Sequence, residues 1–81
     1  MIRFRTETGS LYEIDTDKKT WARLEEPKIE GSYPLRTKSG TYYRINDIEV
    51  GFPAQWLSEP IDPTKDFRLV ETSNVTEIIE V

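Results

Sequence analysis

The stretch Phe4–Asp15, FRTETGSLYEID, decides the fold, because the chain repeats its pattern at Leu35–Asn46 as LRTKSGTYYRIN. Both copies carry Arg-Thr, then a glycine (Gly9, Gly40), then a hydroxyl residue, a tyrosine (Tyr12, Tyr43), an isoleucine (Ile14, Ile45) and Asp or Asn. In the first copy Ile2, Phe4 and Thr6 alternate with Arg3 and Arg5, and beyond Gly9 the residues Tyr12 and Ile14 alternate with Leu11 and Glu13. Side chains of a strand point to opposite faces in turn, so each run reads as a short strand with one buried face. A glycine between two such runs supplies the left-handed backbone of a hairpin turn. The expectation is therefore a β-hairpin at each copy, with positive φ at Gly9 and Gly40 and a shared core of Tyr12, Ile14, Tyr43 and Ile45. Tyr42 is expected outside. TSNVTEI, from Thr72, overlays TGSLYEI, from Thr8, and reads as a third hairpin turning at Ser73–Asn74, since Asn also tolerates left-handed backbone.

Between the copies the chain stays β-like. DTDKK, from Asp15, is a polar turn, and TWARL, from Thr20, is a strand. Pro27 and Pro34 around Gly31, and later Pro60 and Pro63, mark loops. A break at Gly51–Pro53 precedes a short strand carrying Trp56. No apolar pattern of helical period and length occurs. The reading is one all-β domain over residues 1–81: a small antiparallel barrel or sandwich of six to seven short strands, built from repeated hairpins.

A chain of 81 residues has a thin core, and without cysteine it has neither disulfides nor a thiolate zinc site to support it. Oligomerisation or docking on a larger partner is the remaining common support. The first residues carry Arg3, Arg5 and Glu7 and lack the apolar run of a signal peptide, and the run Val50–Leu57 is too short to span a membrane. A soluble, non-membrane protein is expected. Residues 1–40 have a net charge of +1 and residues 41–81 of −5, which counts against a phosphate backbone as the general partner.

The residue types also restrict chemistry. There is no histidine, hence no common general base and no common metal ligand. Asp15, Asp17 and Glu26 match three positions of a calcium loop, but Lys19 and Thr20 occupy positions that need an acceptor and a glycine. A charged turn is the better reading. The expectation is no enzyme, no cofactor and no metal. The basic residues Arg3, Arg5, Arg36, Lys38 and Arg44, beside Tyr42 and Tyr43, permit an alternative: a small barrel that stacks single-stranded nucleic acid on strand-borne aromatics.

Protein contact is the favoured use of the surface. If Thr20, Ala22 and Leu24 face the core, Trp21 and Arg23 face outward, a pairing enriched at interface hot spots. A bulge would instead turn Trp21 inward. In VTEIIEV, the apolar residues Val75, Ile78, Ile79 and Val81 exceed what one strand face needs, so a neighbour is expected to cover some of them. Trp21, Arg23, Tyr42, Ile79 and Val81 are thus the candidate interaction residues.

SGTYYRI, YEIDTDKKTWARL, IEVGFPAQWL and the ending ETSNVTEIIEV give the chain a likeness to a known group. It resembles small β-rich virion-associated proteins of tailed bacteriophages that infect actinobacteria. The resemblance implies a minor structural component, either a capsid accessory or decoration protein or a head–tail or tail part. It also implies partners among other virion proteins or copies of itself, and a location in the virion or otherwise in the host cytoplasm.

Overall fold

The computed structural model describes residues 1–25, 38–59, 64 and 67–80. Six strands follow one another: β1 (Ile2–Thr6), β2 (Leu11–Asp15), β3 (Thr20–Glu25), β4 (Ser39–Ile45), β5 (Pro53–Ser58) and β6 (Arg68–Glu80). Each pairs antiparallel with the next, and β6 returns to β1, so the sheet closes into a barrel. Of the two architectures expected, the barrel is the one formed. Closure pairs β1 with the Val75–Glu80 half of β6, joining the two strands that would stand at the edges of a flat six-stranded sheet.

The first copy of the repeat is the hairpin expected. Gly9 sits at φ 90°, its N–H donates to the Thr6 carbonyl at 2.9 Å, and Thr6 N–H closes the turn on the Ser10 carbonyl at 3.0 Å. The DTDK turn is built by its own side chain: Asp15 Oδ1 accepts the N–H groups of Asp17 and Lys18 at 3.0 and 3.1 Å, and Lys19 takes left-handed backbone at φ 54°.

Neither of the other two expected turns forms. Gly40 lies inside β4, directly across from Trp21, with no positive φ. A Cβ there would stand 3.2 Å from Trp21 Nε1, so glycine serves close approach rather than a turn. Leu35–Thr37, the start of the first arm expected for that copy, lie outside the described residues. Ser73–Asn74 is likewise no turn, because β6 runs unbroken for 13 residues. At this point β6 leaves one neighbour for another: Arg68–Asn74 pairs β5 and Val75–Glu80 pairs β1. Register shifts mark the corner on both sides. There Ala54 N–H donates to Thr72 Oγ1 at 3.0 Å, so a buried hydroxyl replaces a ladder carbonyl.

The barrel interior is filled by rings. Phe4, Tyr12, Ile14, Trp21, Tyr42, Ala54, Trp56, Val70 and Val75 form its core. Phe4 stacks on Tyr12 at 5.2 Å, and Trp56 meets Phe4 and Tyr12 edge-on at 6.5 and 5.7 Å and Trp21 at 5.3 Å. Aromatic pairs in such geometry add to the large apolar area each ring removes from water.

Candidate protein-interaction surface

With rings filling the barrel, the positions available to a partner are on its outer wall and rims. Two of the expected contact residues are not among them. Trp21 is buried, because its register partner is Ile14, and residues directly opposite in a sheet share a face. Its indole N–H donates to Ser58 Oγ at 3.0 Å, and Ser58 in turn donates to the Thr41 carbonyl at 2.6 Å. Leu24, expected inside, is 46 % exposed, since it is the extra residue where β3 bulges opposite Leu11 and Tyr12. Tyr42 is also buried and Tyr43 is 57 % exposed, the reverse of the expectation. Here too a bulge is responsible: Tyr42 pairs Ser58 and Arg44 pairs Leu57, which leaves Tyr43 unopposed. Tyr42 and Ile45 therefore both reach the interior although they are three positions apart.

Arg23 is half-buried and serves the core. Its guanidinium lies 5.5 Å from the centre of the Tyr12 ring, and its Nη2 donates to the Tyr12 hydroxyl at 3.1 Å. Ile79 is exposed on β6 as expected, and Val81 lies outside the described residues.

The basic residues do not form a strip. β1, with Arg3 and Arg5, and β4, with Arg44, are three strands apart in a ring of six and so stand on opposite walls. Arg3 is paired with Glu13 at 2.7 Å and Arg5 with Glu25 at 3.1 Å. Arg36 lies outside the described residues. In the DTDK turn, Asp15 Oδ1 is engaged by backbone N–H groups.

The structure brings together a different set. On the outer wall of β4, β5 and β6, Leu57 and Leu69 are cross-strand partners and Leu69 is 58 % exposed. With Arg44, Asn46 and Gln55 they line a shallow groove of about 190 Å³. Asn46 Nδ2 donates to Gln55 Oε1 at 2.9 Å, and Gln55 Nε2 donates to Glu71, a chain that fixes the polar side of the groove. Arg44 is exposed and makes no ion pair among the described residues. At one end of the barrel a second cleft, of about 180 Å³, is lined by Ile2, Ile14, Ile45 and Ile48 with Asp47 at its rim. Cofactor and drug-sized ligands occupy pockets of about 300–1,000 Å³. Both clefts are on the scale of a partner's side chain.

No family model, curated protein or solved structure matches the chain. The surface must therefore be read from its own chemistry. Sequence reasoning missed Leu57 and Leu69, yet a signal for them exists. Ala54, Trp56 and Ser58 fill one face of β5, and Val70 and Thr72 one face of β6. A leucine at the alternate position of each strand then has to face outward.

Proposed function

We propose that the chain is a non-enzymatic structural and interaction protein, a minor component of a phage virion such as a capsid accessory, decoration, head–tail or tail part. It acts by protein–protein contact with other virion proteins or with copies of itself. The observation that carries the contact role is the groove: the cross-strand leucines Leu57 and Leu69 lie on a wall whose interior side is already packed, beside the exposed guanidinium of Arg44. Exposed apolar area supplies the part of an interface that loses water, and arginine is a residue enriched at interfaces. The placement on a virion is supported by the resemblance of SGTYYRI, IEVGFPAQWL and ETSNVTEIIEV.

The nucleic-acid reading loses support from the geometry. Of its two aromatics Tyr42 is buried and only Tyr43 is exposed, and among its described arginines Arg3 and Arg5 are paired with carboxylates while Arg44 stands on the far wall. Leu69→Asp tests the contact role. Because the side chain is exposed, thermal stability is expected to change by less than about 0.5 kcal/mol, while co-sedimentation with phage particles or self-association is expected to be lost. Full retention of association would overturn the groove as the anchor. Tight oligonucleotide binding that weakens steeply with salt would overturn the reading itself.

A further inference from the structure

β6 has two different edges along its length. Arg68–Asn74 is paired with β5, which begins at Pro53, opposite Asn74. Val75 is held by the 50–52 segment, through Gly51 N–H to Val75 carbonyl at 2.8 Å and Val75 N–H to Phe52 carbonyl at 2.9 Å. Beyond it, Thr76–Glu80 is paired with β1 on one side, and among the described residues no strand meets it on the other. A strand edge of this kind is a template for a further strand. Of the usual protections against such pairing, Thr76–Glu80 has no lysine or proline, and its charged residues are the glutamates Glu77 and Glu80. Instead Ile78 and Ile79 are each 38 % exposed, and Val50 and Phe52, 57 % and 61 % exposed, stand where the open edge begins.

Charge indicates what the edge accepts. Glu77 lies directly across from Arg5 and Ile79 across from Arg3. Both arginines turn away from β6: Arg5 binds Glu25 and the Gly9 carbonyl, and Arg3 binds Glu13. Glu77 is left exposed with no ion pair among the described residues, and Asp47 and Glu49 are exposed in the adjoining loop. A second copy is a poor occupant. Two Thr76–Glu80 edges paired antiparallel about Ile78 would set their Glu77 carboxylates diagonally, about 7–8 Å apart, and like charges oppose each other there. A strand alternating cationic and apolar residues fits: one cation beside Glu77, and apolar side chains on the face of Ile78. β1 itself, Ile-Arg-Phe-Arg-Thr, already meets the opposite edge of β6 with that alternation.

We propose that the open edge of β6, Thr76–Glu80, receives an extended segment of a partner protein in which cationic residues alternate with apolar ones, added as a further strand. This deepens the contact reading above and rests on it, but it uses a site other than the groove.

The test is backbone amide NMR of the full chain with a capped peptide alternating arginine and valine, beside the same peptide carrying glutamate for arginine. The arginine peptide is expected to shift amides of Thr76–Glu80 and slow their hydrogen exchange, and the effect should weaken as salt shortens the screening length from about 10 Å at 0.1 M to about 3 Å at 1 M. Glu77→Lys is expected to lose the arginine peptide and gain the glutamate one, and Glu77→Gln should weaken the response to the arginine peptide without creating a strong one to the glutamate peptide. Peptide shifts confined to the Leu57–Leu69 groove would overturn the edge site while leaving the contact reading intact. No shift at saturating peptide would overturn the proposal. Protection of Thr76–Glu80 that grows with the protein's own concentration would overturn it in favour of a second copy.

Discussion

Trp21 and Trp56 lie 5.3 Å apart in the barrel, but their indole N–H groups are treated differently. That of Trp21 donates to Ser58, while that of Trp56 is buried without a partner. A buried donor left unpaired costs roughly 1–3 kcal/mol, so phenylalanine in place of Trp56 removes a penalty as well as packing, and in place of Trp21 removes packing and a hydrogen bond. Trp21→Phe is therefore expected to destabilise more than Trp56→Phe, by about 1 kcal/mol or more in urea unfolding. Tyr42 makes a second prediction at this scale. Its burial, and secondarily the charge of Asp15, raises its phenol above the ordinary value of 10.0. The folded chain then holds this proton where the unfolded chain has begun to release it, so the unfolded state binds fewer protons and stability falls as pH rises. The contribution is fully present below about pH 10 and is lost as pH climbs through the raised value. Thermal melts through this alkaline range should show a steeper loss for the native chain than for Tyr42→Phe.

Bulges set the phase of the elements. β3 is displaced at Leu24, β4 at Tyr43, and β6 on both sides of its corner. Each inserts a residue without an opposite number, and every side chain beyond it changes face. In β4 the consequence is sharp, because adjacent tyrosines have opposite fates. Tyr42→Ala is expected to cost about 3–5 kcal/mol, as for other large buried rings, and Tyr43→Ala less than about 0.5 kcal/mol. Chemical denaturation of the two variants checks the bulge directly, since equal costs would place it elsewhere. The corner of β6 is secured to the β1–β2 turn. Thr8 Oγ1 lies 3.1 Å from both Thr6 Oγ1 and Ser73 Oγ, and Glu7 N–H donates to the Asn74 carbonyl at 2.9 Å. The Thr-Ser-Asn stretch that imitates a turn thus sits against a real one.

At the scale of the whole molecule, closing the barrel sorts side chains into a packed inside and a functional outside. Both tryptophans fall inside, at 2 % and 1 % exposure. Acrylamide is accordingly expected to quench the tryptophan emission of the free monomer weakly. Strong quenching would mean that the barrel is open or that a ring lies at its surface. A chain this small normally has only about 5–15 kcal/mol of stability, so the loss of one central ring removes a large share. The exposed residues Leu69, Phe52 and Ile79 contribute little to that core, which leaves them free to serve contacts.

Much of the fold was legible from local pattern. The alternation of Ile2–Thr6 and Leu11–Asp15, the glycine at position 9 and the Asp-Thr-Asp-Lys turn each depend on neighbours in the chain, and all three formed as read. So did the absence of helix among the described residues and the burial of Tyr12 and Ile14. The candidate contact residues were less legible: Ile79 is at the surface, whereas Trp21 and Tyr42 are inside. Alternation in a sequence establishes that a strand has two faces, but which face is inward depends on the register with its partners. For Trp21 that register is the pairing with Ile14, and for Tyr42 it is the bulge opposite Leu57 and Ser58. Gly40 and Ser73–Asn74 illustrate the same division, since the residue types that permit a turn also permit close approach and a strand corner. Sequence by itself determined where strands and local turns form, because those follow from backbone preference and period two. Tertiary structure alone decided closure, register and facing, because these depend on contacts between residues far apart in the chain.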